Sequence, residues 1–565
     1  MKFTEFPYQR PDMDAIKTRF ESALKAFKTA SSAHAQRAAM DVIHHIRFEI
    51  DTASTLASIR HSLNTKDPFY DGEQAFFDEQ GPNFQALNQR YYEALVASPY
   101  RKEISQETGD LLFQIAEQTL RTFKPEIIPL LQKENSLTTQ YEKLLASAEI
   151  AFQGDTYNLS EMGPFRQSPD RAIRQEATRA TFAFFADNEA TLDDVFDALV
   201  KTRVAIAEAL GYDSFIELGY DRMGRLDYDA KDVANYRDQV RETIVPLVSQ
   251  LIERQGKRIG VSEMKFYDLA LDFLDGNPTP RGQEAELVAA AQEMYDAMSP
   301  ETGAFFSMMR EKALMDLTAR KGKSGGGYCT ALPDYKVPFI FANFNGTAAD
   351  VDVLTHEAGH AFQVYMSMHH AVPEYHWPTM EACEIHSMSM EFFAWPWMTQ
   401  FFAEDTEKYK FSHLQGALKF LPYGVLVDHF QHDVYANPSW SPAKRRDRWR
   451  ELEKHYMPYK QYEEQDRFLE AGGFWFVQSH IFQAPFYYID YTLAQVIAFQ
   501  YWVWMQTDPQ AAWDSYLTLC QAGGSRPFTG LLELAGLDNP FKSGQLQRII
   551  PVIADYLDRI DDSKF

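Results

Sequence analysis

The residues in this 565-residue chain most able to do chemistry are His356-Glu357-Ala358-Gly359-His360. On a helix, side chains four residues apart lie one above the other, so His356 and His360 present two imidazoles to one point. That point suits a divalent metal, zinc above all. Glu357 is rotated about 100° from His356 around the helix axis, beside the ligand pair and within reach of a water there. It is the candidate general base.

Two histidines and a water leave a zinc site one protein ligand short. A third histidine at the metzincin spacing is excluded, because the positions that need Gly and His hold Gln363 and Met366. A downstream carboxylate is the other solution, and Glu374, Glu381, Glu384 and Glu391 follow. Glu374 sits in a loop bracketed by Pro373 and Pro378, an imprecise platform for a ligand. A new helix opens near Thr379 and runs toward Pro396, with Glu384, Ser387 and Glu391 on one face. Glu384 suits the metal there, with Ser387 or Glu391 orienting a first-helix histidine through its outer nitrogen. Spacing alone does not separate Glu381 from Glu384.

The elements that must position these groups are local. Pro338 to Phe344 is an apolar run that reads as a strand, and Asn345-Gly346 reads as a turn. Thr347, with Asp350 three residues on, reads as the helix start, since side-chain oxygens there accept orphan N–H groups. Leu354, Ala358, Ala361 and Tyr365 form an apolar stripe beside the polar stripe of His356, His360 and Gln363.

The strand and turn at 338–347, the stretch at 356–360 and the run Glu384-Ile385-His386-Ser387-Met388-Ser389-Met390-Glu391 resemble the zinc oligopeptidases of the oligoendopeptidase F and thimet oligopeptidase family. The likeness is specific over residues 325–395 and weaker over 471–540. It implies a mostly α protein with two helical lobes around a deep substrate cleft and a small β-sheet next to the zinc helix. It implies one Zn2+ per chain on His356, His360 and Glu384, and short unfolded oligopeptides as substrates. Internal bonds would be cut by attack of a zinc-bound water, with Glu357 as base. An exposed strand edge before the zinc helix, falling here on Phe341, Ala342, Asn343 and Gly346, would pair with the substrate backbone. The family's histidine and tyrosine cluster is matched by His480 with Tyr487, Tyr488 and Tyr491, donors suited to a developing oxyanion. The paired glycines of the thimet branch are absent from that interval, which holds Pro485, and all three tyrosines stay candidates.

Composition bounds the class. Apolar residues make up 45% and aromatic residues 14%, enough for a packed core, which excludes a disordered or fibrous protein. A net charge of −25 disfavours nucleic acid and anionic membrane as partners. Cys329, Cys383 and Cys520, an odd number without a disulfide pattern, point to a reducing cytoplasm. The first residues lack the apolar core of a signal peptide, and no stretch of about 18 apolar residues follows.

Elsewhere the pattern is helix after helix, for example from Ser168-Pro169-Asp170 through Phe185 and from Asp229 toward Leu251, with no fixed-period repeat. Residues 1–190 read as a helical scaffold or lid and 191–565 as the catalytic region, with the loop at 275–282 a surface turn inside it. Gly322-Lys323-Ser324 is half a phosphate loop, but Leu317 stands where its first glycine is required, so nucleotide binding is rejected. Gly325-Gly326-Gly327 reads as a flexible turn leading into the strand. Two rivals share the zinc motif. A helical carboxypeptidase would need a cation for the substrate's terminal carboxylate, and a non-catalytic peptide-binding protein would be expected to lack Glu357 or a ligand, all of which are present.

Overall fold

The structure is a computed structural model that describes residues 1–320 and 322–565. Helices dominate it. Three long N-terminal helices, Met13–Thr29, Ala33–Leu63 and Pro68–Val96, pack on one another. Phe20, Phe27, Met40, Ile43 and Tyr91 form a core between them, which Leu112, Phe113, Val372 and Tyr375 complete. The last two belong to the loop after the His-Glu-x-x-His helix, so this lobe is anchored on the catalytic region. A second, larger core runs through the rest of the chain, with both Phe185 and Leu192 in it. Asn188, the residue between helices Arg171–Asp187 and Glu189–Leu210, therefore lies inside continuous packing.

Local signals set several helix starts. Asp170 accepts hydrogen bonds from the Ala172 and Ile173 N–H groups and opens Arg171–Asp187. Asp229 and Asp232 close a capping box at the start of Ala230–Arg258, which runs past Leu251. No helix among the described residues is long and apolar enough to cross a membrane.

Five strands occur among the described residues. β1 (Ile150–Phe152) and β2 (Asp155–Tyr157) form a hairpin, while β3 (Met315–Thr318), β4 (Tyr328–Leu332) and β5 (Val337–Phe344) form a sheet in the order β3-β5-β4. β5 is central, parallel to β3 and antiparallel to β4, with Tyr328 opposite Phe341 and Leu332 opposite Val337. This corrects the expectation that Phe341, Ala342, Asn343 and Gly346 offer an exposed edge. Phe341 and Ala342 are fully buried, Gly346 lies beyond the strand, and Asn343 spends its amide on the carbonyls of Ser324 and Gly326, 2.8 Å from each. The strand without a second partner next to the site is β4, whose first three residues are half-buried.

Asn343 also explains why the glycine turn at 325–327 is pinned. Lys323 is used structurally: its buried ammonium bonds Asp316, the Thr318 carbonyl and the Ala342 carbonyl, and lies 4.5 Å from the Phe341 ring centre.

Candidate metal centre and active site

The His-Glu-x-x-His helix spans Ala349–Ser367. It starts one residue later than Thr347 would have it, at the cap position Ala348, because Thr347 donates its hydroxyl to Asn345 Oδ1. Asp350 instead accepts from the N–H groups of Asn345 and Gly346, 2.8 Å each, tying the turn to the first turn of the helix.

The helix Met380–Phe393 packs across it at Gly359. A Cβ on Gly359 would lie 2.6 Å from the His386 carbonyl oxygen and 2.7 Å from the Ser387 Cα, so the crossing requires glycine. At that distance Glu384 reaches the histidines. Its Oε2 lies 3.2 Å from His356 Nε2 and 3.4 Å from His360 Nε2. A tetrahedral zinc, with ligands about 2.0–2.1 Å away, holds them about 3.3–3.4 Å apart, which both Glu384–His distances match, and all three ligand atoms lie within 4.8 Å of one another. No other group of three or more His, Cys, Asp or Glu among the described residues converges in this way. Burial alone would raise the Glu384 carboxyl, but the two imidazoles outweigh it and hold it well below the usual range.

The competing carboxylates lie elsewhere. Glu381 is fully buried one turn earlier on its helix, near Arg225 and Asp227, and burial pushes it up to about 7. Glu374 accepts from Arg47 at 2.6 Å and from the Tyr92 hydroxyl at 2.5 Å. Glu391 accepts from His356 Nδ1 at 2.7 Å with one oxygen and from His413 Nε2 at 2.8 Å with the other. Ser387 touches neither histidine; its hydroxyl reaches both the carbonyl and Oε2 of Glu384, 3.0 Å each. The Nδ1 of His360 has no hydrogen-bond partner among the described residues.

Glu357 is 7% exposed, with Oε2 unpartnered and Oε1 3.4 Å from where a Gly327 Cβ would stand. It therefore sits at the start of β4. Burial raises its pKa, and the two histidines offset only part of that rise.

The histidine and tyrosine cluster closes the other side. Tyr487, at the start of helix Tyr488–Met505, donates its hydroxyl to Glu384 Oε1 at 2.7 Å. His480 Nε2 faces the Tyr491 hydroxyl at 3.4 Å, and Gln478 donates to His480 Nδ1 at 2.8 Å. Tyr423 donates in turn to Gln478 Oε1 at 2.8 Å, which fixes the amide and leaves the His480 proton on Nε2. Burial lowers His480 to about 4, so it is a neutral donor. Tyr488 packs edge-on against Phe420, Tyr423, His480 and Tyr491, a packing role within the cluster.

Phe486 precedes these tyrosines in the left-handed region, φ +69°, a costly conformation for a residue with a side chain. Three contacts hold it. Its N–H donates to Gln431 Oε1 at 2.9 Å, Arg225 bonds its carbonyl at 2.6 Å while gripping Asp490 at 2.7 Å, and its ring fills the space above Gly219.

The sequence reading passed over His413, Gln478, Arg225 and Gly219. Only Gln478, two residues before His480, carries a local signal. A cavity of about 500 Å³ opens between the N-terminal and catalytic helices; Gln118, Asp221, Thr379, Met380 and Arg526 help line it, and it reaches the first turn of the Glu384 helix.

Comparison with known proteins bears on the family and the fold. The peptidase M3 N-terminal domain model matches residues 3–123, and the peptidase family M3 model matches residues 165–549. A structure of PZ peptidase A with an inhibitor is 52% identical, with TM-score 0.97 and full coverage of both chains. An oligoendopeptidase F assignment from Bacillus anthracis is 48% identical, with TM-score 0.93, covering 100% of this chain and 99% of that one. An oligoendopeptidase F homologue of Borreliella burgdorferi is 21% identical over 469 residues, covering 77% of this chain and 73% of its own. The likeness drawn from the motifs is thus borne out, together with the mostly helical fold and metallopeptidase activity: the chain belongs to peptidase family M3.

Proposed function

We propose that the protein is a zinc-dependent oligoendopeptidase that hydrolyses internal bonds of short unfolded peptides. The observation that carries this is the convergence of three ligand atoms, Glu384 Oε2 lying 3.2 Å from His356 Nε2 and 3.4 Å from His360 Nε2, with the unpartnered Oε2 of Glu357 nearby. A zinc ion on those three residues supplies a Lewis acid and lowers the pKa of water.

The chain's own groups do the rest. A substrate strand lies along the free edge of β4, which replaces the β5 residues as the peptide-pairing backbone and places the scissile carbonyl near Glu357. Glu357, its pKa raised by burial, takes a proton from the attacking water as oxygen bonds to the carbonyl carbon. It then delivers that proton to the amide nitrogen as the C–N bond breaks. Tyr491 and the Nε2–H of His480 serve as neutral donors for the carbonyl oxygen as charge develops, and Tyr487 joins them by turning its one proton from Glu384 to that oxygen. Glu391 orients His356, and Ser387 steadies Glu384. The cleft between the lobes admits extended oligopeptides and excludes folded domains. The unbridged Cys329, Cys383 and Cys520 favour a reducing cytoplasm, where the task is peptide turnover.

A quenched oligopeptide blocked at both ends tests this. Cleavage of an internal bond, abolished by a chelator and restored by zinc, is the expected result. Release of single C-terminal residues from unblocked peptides, with the blocked peptide intact, would replace the proposal by the carboxypeptidase reading; binding without cleavage would leave a carrier.

A further inference from the structure

Behind the proposed zinc ligands lies a chain of contacts that the reaction does not use directly. Glu391 is held from both sides, His356 Nδ1 on one oxygen at 2.7 Å and His413 Nε2 on the other at 2.8 Å. His413 lies on the helix Thr406–Ala436, and its side chain is 8% exposed. Trp395, in the turn after the Glu384 helix, points its indole Nε1 at His413 Nδ1 from 3.2 Å. An indole N–H only donates, so Nδ1 must accept, and the His413 proton is left on Nε2, aimed at Glu391.

The ring of His413 has no freedom to turn over. Tyr409 stacks on it at 5.6 Å and Phe392 meets it edge-on at 5.1 Å. Trp395 is held in turn by Trp502, 6.0 Å between ring centres, and by Tyr556 of the C-terminal helix Gln545–Arg559, at 6.4 Å. The other acid near His413, Asp352, is engaged by the Tyr409 hydroxyl at 2.6 Å.

We propose that His413, with its tautomer set by Trp395, is a positioning residue for the metal ligand His356, acting through Glu391. With both oxygens engaged, Glu391 cannot swing away from His356. The His356 proton then stays on Nδ1 and its Nε2 lone pair faces the metal position. Without His413, one oxygen of a nearly buried carboxylate loses its donor, and Glu391 is free to rotate. The inference rests on the ligand set proposed above.

The test measures zinc affinity by chelator competition, with thermal unfolding of the metal-free proteins as a folding control. His413→Ala is expected to weaken zinc binding about 10-fold or more, the range seen for outer-shell partners. His413→Gln, whose amide nitrogen occupies the place of Nε2, should recover most of that loss. Trp395→Phe keeps an aromatic ring, removes one hydrogen bond, and should weaken zinc about 2- to 10-fold. Turnover should fall with KM little changed. Wild-type zinc affinity in folded His413→Ala and Trp395→Phe would overturn the proposal, as would a Gln variant no better than Ala, the mark of a purely structural role. A parallel His356→Ala separates the two levels: if it keeps zinc, the ligand set itself is wrong; if it loses zinc while His413→Ala does not, only this inference falls.

Discussion

Gly359→Ala is a one-methyl test of how the metal centre is assembled. The added Cβ would stand 2.6 Å from the His386 carbonyl oxygen and 2.7 Å from the Ser387 Cα, both backbone atoms of the helix that carries Glu384. Ordinary contact begins near 3.5 Å, so the two helices must part by about 0.9 Å. Glu384 Oε2 would then move away from His356 and His360 by a similar amount, while metal–ligand distances tolerate about 0.2 Å. Overpacking of this kind costs about 1–3 kcal/mol, and the better helix propensity of alanine returns up to about 1 kcal/mol. The fold should therefore survive while zinc affinity falls on the order of 10- to 100-fold. Thermal unfolding of the metal-free protein measures the first effect, and chelator competition the second. A variant with wild-type zinc affinity and turnover would refute the claim that close helix approach at Gly359 builds the site.

Other substitutions probe the surrounding contacts. Tyr487→Phe removes the donor 2.7 Å from Glu384 and should lower kcat on the order of 10²-fold, whereas Tyr488→Phe should leave it nearly unchanged; equal losses would show that the three tyrosines are not distinguished as described. Gly219→Ala would place a Cβ 2.5 Å from the Phe486 ring and should cost about 1–3 kcal/mol of stability while disturbing Tyr487, so an unchanged melting temperature with unchanged kcat counts against the proposed clamp. Acid should weaken the junction between the N-terminal helices and the catalytic region. Burial lowers His44 from 6.5 to about 3, so between those values the unfolded chain binds a proton that the fold does not, and stability drops as pH falls. Burial alone would raise Glu374, but the Arg47 guanidinium holds it at about 2, so its contribution is lost between about pH 4.5 and 2. Asp51, raised by burial to about 6, acts the opposite way between about pH 6 and 3.8, which concentrates the net loss below about pH 4. Denaturant titrations at several pH values should show a flatter acid limb for His44→Gln than for wild type; identical limbs would rule out His44 as a source of the slope.

What the sequence made legible was local. Asp170 and Asp229 announce helices because a cap and the groups it satisfies lie within three residues. The motif at 356–360 defines one wall of the site for the same reason, since a single helix carries it. The choice of Glu384 over Glu381 needed either family likeness or three dimensions, because both sit on one helix, one turn apart, and spacing does not say which turn meets the histidines. The central place of β5 is not local: its near-continuous apolar run marks a strand covered on both faces, but the identity of its neighbours depends on pairing with residues as distant as Met315. His413 and Arg225 were invisible because their partners, Glu391 and Asp490, lie 22 and 265 residues away in sequence. The left-handed turn at Phe486 had no glycine to signal it and exists only because Gln431, Arg225 and Gly219 surround it.

The central claim is that His356, His360 and Glu384 hold zinc while Glu357 moves the proton. Its most direct test pairs zinc content with cleavage of a doubly blocked peptide for the wild type and Glu357→Gln. About one zinc per chain in both, with turnover reduced roughly 10²-fold or more in the variant, is the predicted result. Wild-type turnover in a variant that retains its zinc would contradict it.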